Sequence, residues 1–196
     1  MAETAGVPIE RSALLVIDVQ DSFKVGSRWE RRGNPDFESN LDRLVRSYRA
    51  AGFPVLFVLH TDGDEGFRPE DPELRLMDFL HPQEGEPVLV KTTRSAFAST
   101  NLREILEEKG VRRLVITGIQ TEQCCETTAR VAADVYGYAV DFVTEATQTF
   151  PIPHPNGVEE LGPEEIMRRT EYVLRGRFAR IATVDELVAE LESVAV

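Results

Sequence analysis

Six short apolar runs, separated by stretches with helical spacing, are the feature that most constrains how this chain can fold. The runs are Ala13 to Ile17, Pro54 to Leu59, Pro87 to Val90, Leu114 to Ile116, Val140 to Val143 and Phe178 to Ala182. Runs that are apolar throughout indicate strands buried on both faces, as parallel strands are. Strands that alternate with helices indicate a sheet covered on both sides. The pattern therefore predicts a three-layer α/β/α fold with a mainly parallel six-stranded sheet.

The length and composition indicate a single globular domain over residues 1–196. Hydrophobic residues make up 42% of the chain and charged residues 29%, and the formal net charge is −12. Such a negative field repels nucleic acid, which excludes it as an expected partner. No apolar run approaches the length of about 18 residues that spans a bilayer. Met1 to Thr4 lack the pattern of a secretory signal, so we expect a cytoplasmic protein without a membrane partner.

Two stretches do not follow the strand–helix alternation. The first, Phe23 to Asp36, contains Trp29, and the second, Phe150 to Gly162, is rich in proline and glycine. Long loops in compact domains often cover or bind a ligand. Either stretch could cover a pocket, and residues 150–162 could close the site of their own chain or that of a neighbouring subunit.

Three side chains with chemical potential follow apolar runs of the predicted sheet. Asp18 follows the first run, Lys91 follows the third, and Cys124 lies in the first turn of the helix predicted after the fourth. Each alone has an ordinary explanation: a turn residue, a solvated strand end, or a small buried hydrophobe. Since parallel strands end at one edge of a sheet, we expect the three to meet there. The positive end of a helix also lowers the pKa of a thiol, which favours a nucleophile.

These residues form part of a longer pattern with a recognisable order. The pattern consists of Asp18-x-Gln20 with Phe23, Lys91 followed by Ser95-Ala96-Phe97 and Thr100-x-Leu102, and Gly118-x-x-Thr121-x-x-Cys124 with Thr128-Ala129. From about Ser12 to Leu191 the chain resembles the isochorismatase-like cysteine hydrolases, relatives of nicotinamidases and N-carbamoylsarcosine amidases. The resemblance implies a Rossmann-like fold and a homodimer or homotetramer. It also implies hydrolysis of a C–N bond in a small amide or ureido substrate through a thioester, without a cofactor.

The resemblance assigns a role to each residue of the pattern. Cys124 would be the nucleophile, Asp18 the general base and acid, and Lys91 the third member of the triad. A cis peptide bond between Ile119 and Gln120 would direct the backbone N–H groups of Gln120 and Cys124 at the oxyanion. Thr121 has a competing interpretation as a helix N-cap that accepts from the N–H of Cys124.

Six residues are candidates for substrate binding. They are Gln20, Phe23, Trp29, Arg94, Phe97 and Thr121. Arg94 could pair with a substrate carboxylate, although a surface ion pair is the simpler expectation. For the aromatic residues, the alternative to substrate binding is ordinary packing in the core or a loop. The Gln120 side chain either enters the pocket or points outward, and Cys125 is expected to pack as an apolar residue.

The chain departs from its relatives in ways that separate several functions. A cysteine at position 124 argues against isochorismatase activity itself, because cleavage of a vinyl ether does not need one. The second run is followed by His60, Asp62 and Asp64 without a His-x-His pair, so no metal is expected. A nicotinamidase-like, metal-assisted amidase using these three residues remains the alternative. A catalytically silent binding or redox-sensing protein, using the adjacent Cys124 and Cys125 thiols, is another.

Overall fold

The computed structural model describes residues 6–194 and contains one sheet of six parallel strands. The strands lie in the order β3-β2-β1-β4-β5-β8, and every neighbouring pair is parallel. The strands are β1 (Ser12–Ile17), β2 (Val55–His60), β3 (Val88–Lys91), β4 (Arg113–Ile119), β5 (Ala139–Gln148), β6 (Ile152–Pro153), β7 (Glu160–Leu161) and β8 (Arg180–Ile181). All six predicted strands are confirmed, and the main sheet is wholly parallel.

Helices cover both faces of this sheet. They are α1 (Phe37–Ala50), α2 (Leu102–Glu108), α3 (Glu126–Arg130), α4 (Pro163–Leu174) and α5 (Val184–Val194), with 3₁₀ turns at Ile9–Arg11, Asp21–Lys24 and Arg28–Arg31. One core cluster joins the sheet to α1 and α5. The other joins it to α2, α3 and the end of α4. The predicted three-layer α/β/α architecture is therefore confirmed.

Burial along the strands follows their position in the sheet. Every residue of β1, β2 and β4 is buried, as expected for strands with helices on both sides. The edge strand β3 differs, because Val88 is 42% exposed and Val90 is 50% exposed. The apolar run thus predicted the strand correctly, but it did not reveal that the face of β3 carrying Val88 and Val90 is exposed.

The order of strands reverses between β1 and β4, which are neighbours although far apart in sequence. The chain runs outward from β1 to β3 and then returns to place β4 on the other side of β1. Ligand sites in open α/β sheets lie at such a reversal, beyond the carboxyl ends of the strands. Asp18 and the segment leading to Cys124 follow β1 and β4 at this point.

Gly118 allows β4 to approach β1 closely at this reversal. It pairs with Ile17 and has a φ of +121°. A Cβ atom at position 118 would lie 2.0 Å from the carbonyl oxygen of Ile17. Only glycine therefore fits, and the bend that follows directs the chain towards the helix carrying Cys124.

The two irregular stretches contain short ordered elements. The segment after Phe150 forms a small antiparallel hairpin from β6 and β7, with Ile152 and Leu161 partly exposed. The stretch around Trp29 forms the 3₁₀ turn Arg28–Arg31. Between residues 6 and 194 no helix has the length and apolar character needed to cross a membrane.

Candidate active site

Asp18 is the first residue after β1 and is completely buried. Its φ of +54° lies in the left-handed region, which among residues with a Cβ is tolerated best by Asn and Asp. Its backbone N–H donates to the carbonyl of Val58 at 2.8 Å, which ties the turn to β2. Strained backbone at such a position is characteristic of functional sites.

Lys91, the last residue of β3, brings three elements of the sheet edge together. Its buried ammonium lies 2.8 Å from Asp18 Oδ2, 3.3 Å from Cys124 Sγ and 3.1 Å from His60 Nδ1. The contact with Asp18 is an ion pair, because neither carboxylate oxygen accepts a hydrogen bond with good angles from the described residues. One carboxylate, one ammonium and one thiol thus meet, as the strand positions predicted.

Cys124 lies in the first turn of a continuous helical segment from Thr121 to Val135. This first turn is π-helical, since the N–H of Cys125 donates to the carbonyl of Gln120 at 3.2 Å. The peptide bond between Ile119 and Gln120 is cis. Cys124 is 5% exposed, whereas Cys125 is fully buried and directs its sulfur towards the carbonyl of Thr117 at 3.7 Å. Only Cys124 therefore lines the cavity described below.

Burial sets the protonation state of this cluster. Burial raises the pKa of Asp18, and the Lys91 ammonium opposes the rise. Burial also raises the pKa of the Cys124 thiol to about 12, with the Asp18 charge adding to the effect and Lys91 opposing it. At neutral pH Cys124 is accordingly a thiol, and it lies beside the Lys91–Asp18 ion pair. A proton that moves from sulfur to Asp18 leaves a thiolate next to the Lys91 ammonium.

A cavity of about 110 Å³ opens over Asp18 and Cys124. This volume corresponds to the liquid share of about four water molecules, so it accommodates a small functional group. The other lining residues are Phe23, Arg28, His60, Asp62, Asp64, Phe67, Arg94, Gln120 and Gln123. The cavity is thus bounded by two aromatic rings, two guanidinium groups, the Asp18 carboxyl group and the Cys124 sulfur.

Two of the six predicted substrate-binding residues, Phe23 and Arg94, line this cavity. Gln20 does not: its amide nitrogen donates to His60 O at 3.0 Å, and its oxygen accepts from His60 N at 2.7 Å. Trp29 packs behind the wall against Phe150, with ring centroids 6.2 Å apart. Phe150 in turn stacks on Phe23 at 5.6 Å, so the start of the predicted second loop supports the cavity of its own chain.

Phe97 and Thr121 also lie away from the cavity. Phe97 belongs to the core on the α2 side, and its ring centroid lies 5.0 Å from that of Tyr136. Thr121 is buried, and its hydroxyl donates to Thr147 Oγ1 at 2.8 Å. Because Thr121 is the first helical residue and makes no cap contact, the N-cap interpretation is wrong.

Sequence reasoning did not identify Arg28, Phe67 or Gln123 as cavity residues. The guanidinium of Arg28 lies 4.8 Å from the ring centroid of Phe150. When the Gln120 side-chain amide is oriented with its oxygen towards Arg28, that oxygen accepts a hydrogen bond from Arg28 Nη2 at 3.0 Å. The sequence did hold a signal for Arg28, because it adjoins Trp29 in the stretch Phe23 to Asp36 that was expected to cover a pocket. Phe67 lies in a long segment without any pattern, so only the fold could place it.

His60 occupies a position between two cations. It is 3% exposed, and its Nε2 lies 3.1 Å from Asp62 Oδ2 and in contact with the Arg94 guanidinium. Burial, together with the charges of Lys91 and Arg94, lowers the pKa of His60 to about 4, so the imidazole is neutral. Within residues 6–194 no three His, Cys, Asp or Glu side chains are arranged to hold a metal ion.

Comparison with known proteins agrees with this geometry. The family model for the isochorismatase domain matches residues 12–165. The chain belongs to the isochorismatase family. It is accordingly a hydrolase of that family, and the fold inferred from the resemblance is confirmed.

Individual members of the isochorismatase family match almost the whole chain. The uncharacterised isochorismatase-family protein YrdC of Bacillus subtilis is 29% identical over 181 residues, covering 91% of this chain and 95% of YrdC. The ureidoacrylate amidohydrolase of Rhizobium rhizogenes is 32% identical, covering 94% and 85%. A crystal structure of an isochorismatase-family protein from Chromobacterium violaceum superposes with a TM-score of 0.86 at 27% identity, covering 94% and 95%.

Proposed function

We propose that this hydrolase is a metal-independent cysteine amidohydrolase that cleaves a C–N bond of a small amide or ureido compound. The observation that carries the proposal is the contact of one buried ammonium, that of Lys91, with both Asp18 and Cys124 beside an accessible cavity. A relative of similar length acts as a ureidoacrylate amidohydrolase, which supports the substrate class.

The first half of the proposed reaction forms a thioester. Cys124 Sγ attacks the substrate carbonyl carbon while its proton passes to Asp18. The backbone N–H groups of Gln120 and Cys124 would stabilise the resulting oxyanion. When the C–N bond breaks, Asp18 returns the proton to the nitrogen, and ammonia or an amine leaves.

The second half hydrolyses the thioester. Asp18, again a carboxylate, takes a proton from water as the water oxygen attacks the carbonyl carbon. The C–S bond breaks, the proton returns to sulfur, and a carboxylic or carbamic acid is released. Lys91 remains an ammonium throughout and stabilises the thiolate each time it forms.

The site does not fit the metal-assisted alternative. The two ring nitrogens of His60 face Lys91 and Asp62, so no lone pair is left for a metal ion. Asp62 is engaged as well, since its Oδ1 accepts from the N–H of Asp64 at 2.9 Å. We likewise do not propose a redox-sensing pair, because Cys125 is fully buried.

Replacement of the nucleophile tests the proposed function. Ammonia release is measured with nicotinamide, carbamoyl amino acids, biuret and maleamate for the wild type, Cys124→Ala and Cys124→Ser. Turnover of any good substrate should fall by at least about 10³-fold in both variants. Cys125→Ala is the matched control and should retain activity within about twofold, since that sulfur only packs. Unchanged turnover by Cys124→Ala would refute the proposal.

The family resemblance also leads us to propose a homodimer or homotetramer. Light scattering on the purified protein measures the mass directly.

A further inference from the structure

We propose that His60 and Asp62 are positioning residues that hold the Lys91 ammonium between Asp18 and Cys124. The inference extends the proposed function, because it adds two residues that act through Lys91. It rests on a continuous set of contacts from Asp62 through His60 to Lys91. Neither residue is required to exchange a proton with the substrate.

The first step of the argument concerns the hydrogen bonds of the ammonium. Lys91 is fully buried and carries three N–H donors, so each needs an acceptor within the protein. Asp18 Oδ2 lies 2.8 Å from the ammonium as its ion-pair partner, Cys124 Sγ accepts a hydrogen bond at 3.3 Å, and His60 Nδ1, at 3.1 Å, is the remaining acceptor. A buried donor without an acceptor is costly, and an ammonium with a free donor would turn away from one of its catalytic partners.

His60 is itself held rigidly by the sheet edge. It pairs with Lys91 in the register of β2 and β3. Its backbone N–H donates to Gln20 Oε1 at 2.7 Å, and its carbonyl accepts from Gln20 Nε2 at 3.0 Å. Gln20 thus fixes the backbone of His60 to the end of β1. The buried side-chain amide of Gln20 therefore has a structural role, although it does not line the cavity.

The tautomer of His60 follows from its neighbours. The groups that face its ring are Lys91 at Nδ1, and Asp62 and Arg94 at Nε2. Lys91 has no access to water, whereas the Arg94 side chain is 50% exposed and reaches both solvent and Asp62. The lone pair on Nδ1 therefore serves Lys91, and Nε2 carries the proton that Asp62 Oδ2 accepts at 3.1 Å.

The consequence is a directional chain of hydrogen bonds. Asp62 fixes the proton on Nε2, the free lone pair of Nδ1 orients the ammonium, and the ammonium faces the thiolate as it forms. Because burial keeps the pKa of His60 at about 4, the chain is intact across the neutral range.

The reactivity of Cys124 tests this chain without a known substrate. The rate of iodoacetamide alkylation at Cys124, located by fragment mass spectrometry, is compared for wild type, His60→Leu, His60→Asn and His60→Gln near neutral pH. The rate should fall roughly 10- to 100-fold in His60→Leu, the range expected when a buried hydrogen bond loses its acceptor. His81→Leu, which changes an exposed histidine, is the control and should match the wild type.

The two amide variants distinguish the tautomers. The carbonyl oxygen of Asn reaches the position of Nδ1, whereas that of Gln reaches the position of Nε2. His60→Asn should recover most of the lost rate, and His60→Gln should not. Recovery by Gln alone, or a wild-type rate in folded His60→Leu, would overturn the proposal.

A second pair of variants covers the case in which His60→Leu does not fold. Asp62→Ala removes the acceptor for Nε2–H and should slow alkylation at least about fivefold, whereas Asp62→Asn keeps an acceptor and should stay within about twofold. Equal rates in both would overturn the proposal.

On a good substrate, His60→Leu should lower kcat with little change in KM. The two proposals can be refuted separately. Retained activity in Cys124→Ala would refute the proposed amidase function, whereas a wild-type alkylation rate in folded His60→Leu would refute only the positioning role of His60 and Asp62.

Discussion

At the scale of single residues, Asp18 combines three locally unfavourable features. Its carboxylate is buried, its φ is positive, and its two oxygens lack well-aligned donors. Each feature disfavours folding or the charged form, yet together they leave a carboxylate with free lone pairs beside a thiol. This is the state that a general base requires before the reaction begins.

The raised pKa of Asp18 predicts the pH dependence of the reaction. In the free enzyme the carboxylate must be ionised to accept the thiol proton, so activity is lost as the pH falls through the raised pKa. The acid limb of kcat/KM should therefore lie above the ordinary value of 3.8 for a carboxyl group of this type. A pH–rate profile on one amide substrate measures it, and an acid limb at or below pH 4 would contradict the assignment of Asp18 as base.

The two adjacent thiols should also differ in reactivity. Cys124 lines the cavity beside Asp18, whereas burial raises the pKa of Cys125 well above its ordinary value and Cys125 does not line that cavity. Limiting iodoacetamide should modify Cys124 first, as read by fragment mass spectrometry. Prior modification of Cys125 would be inconsistent with the structure.

The sequence predicted some site residues better than others, for a physical reason. The contact of Asp18, Lys91 and Cys124 was predictable because Asp18 and Lys91 stand at strand ends, Cys124 lies in the first helical turn after β4, and parallel strands end together. Gln20 and Thr121 belong to the same motifs, but their polar groups are used within the protein. Whether such a side chain faces a cavity or a neighbouring strand depends on tertiary contacts that the sequence does not display.

At the scale of secondary structure, the contact of β1 with β4 determines where Cys124 lies. The two strands pair along their full length, and Gly118 passes directly against Ile17. The helical segment that follows packs close to the sheet through Ala129 and Ala132, both fully buried. The position of Cys124 therefore depends on small residues that do no chemistry.

Gly118→Ala should be strongly destabilising. Its Cβ would clash with Ile17 O, and its φ of +121° is strained for alanine, so the two costs add to roughly 3–5 kcal/mol of unfolding free energy. Gly110→Ala is the matched control, with a φ of +69° but no atom within 4 Å of the new Cβ. It should cost only about 1–2 kcal/mol. Chemical denaturation measures both, and equal losses would contradict the packing argument.

Helix and strand patterns were predicted well, while their irregular parts were not. Thr183 and Glu186 have the sequence spacing of a capping box, and both of its bonds form: the N–H of Glu186 donates to the Thr183 hydroxyl at 3.1 Å, and the N–H of Thr183 donates to Glu186 Oε2 at 3.1 Å. The π-helical turn before α3 and the β6–β7 hairpin had no signal in the sequence. Both depend on where the rest of the sheet directs the chain, which local spacing does not encode.

At the scale of the whole molecule, the proposed active site lies at one end of the sheet and a network of ion pairs lies at the other. At the end opposite the triad, Asp141 accepts from Arg113 at 2.5 Å and from Arg180 at 2.6 Å, and both arginines also pair with Glu190 on α5. This network joins β4, β5, β8 and α5 near the start of the strands. The ion-pair network and the proposed active site thus lie at separate ends of the same sheet.

Asp141→Asn should separate stability from the reactivity of Cys124. Loss of a buried carboxylate from paired arginines costs about 3 kcal/mol, which corresponds to a decrease in Tm of roughly 6–12 °C for a chain of this size. The exposed pair of Asp185 with Arg43 provides the control, because Asp185→Asn should cost less than about 1 kcal/mol. Calorimetry measures the shift. A changed rate of Cys124 alkylation in folded Asp141→Asn would show that the two ends are coupled.

The packing of Trp29 has a practical consequence. It is the only tryptophan in the sequence, and it lies against Phe150, whose ring stacks on Phe23 at the cavity wall. Indole emission of the unlabelled enzyme therefore originates from a single fluorophore one aromatic layer from the cavity. A compound that enters the cavity and displaces this wall should change the fluorescence of Trp29, so its binding can be titrated without a label.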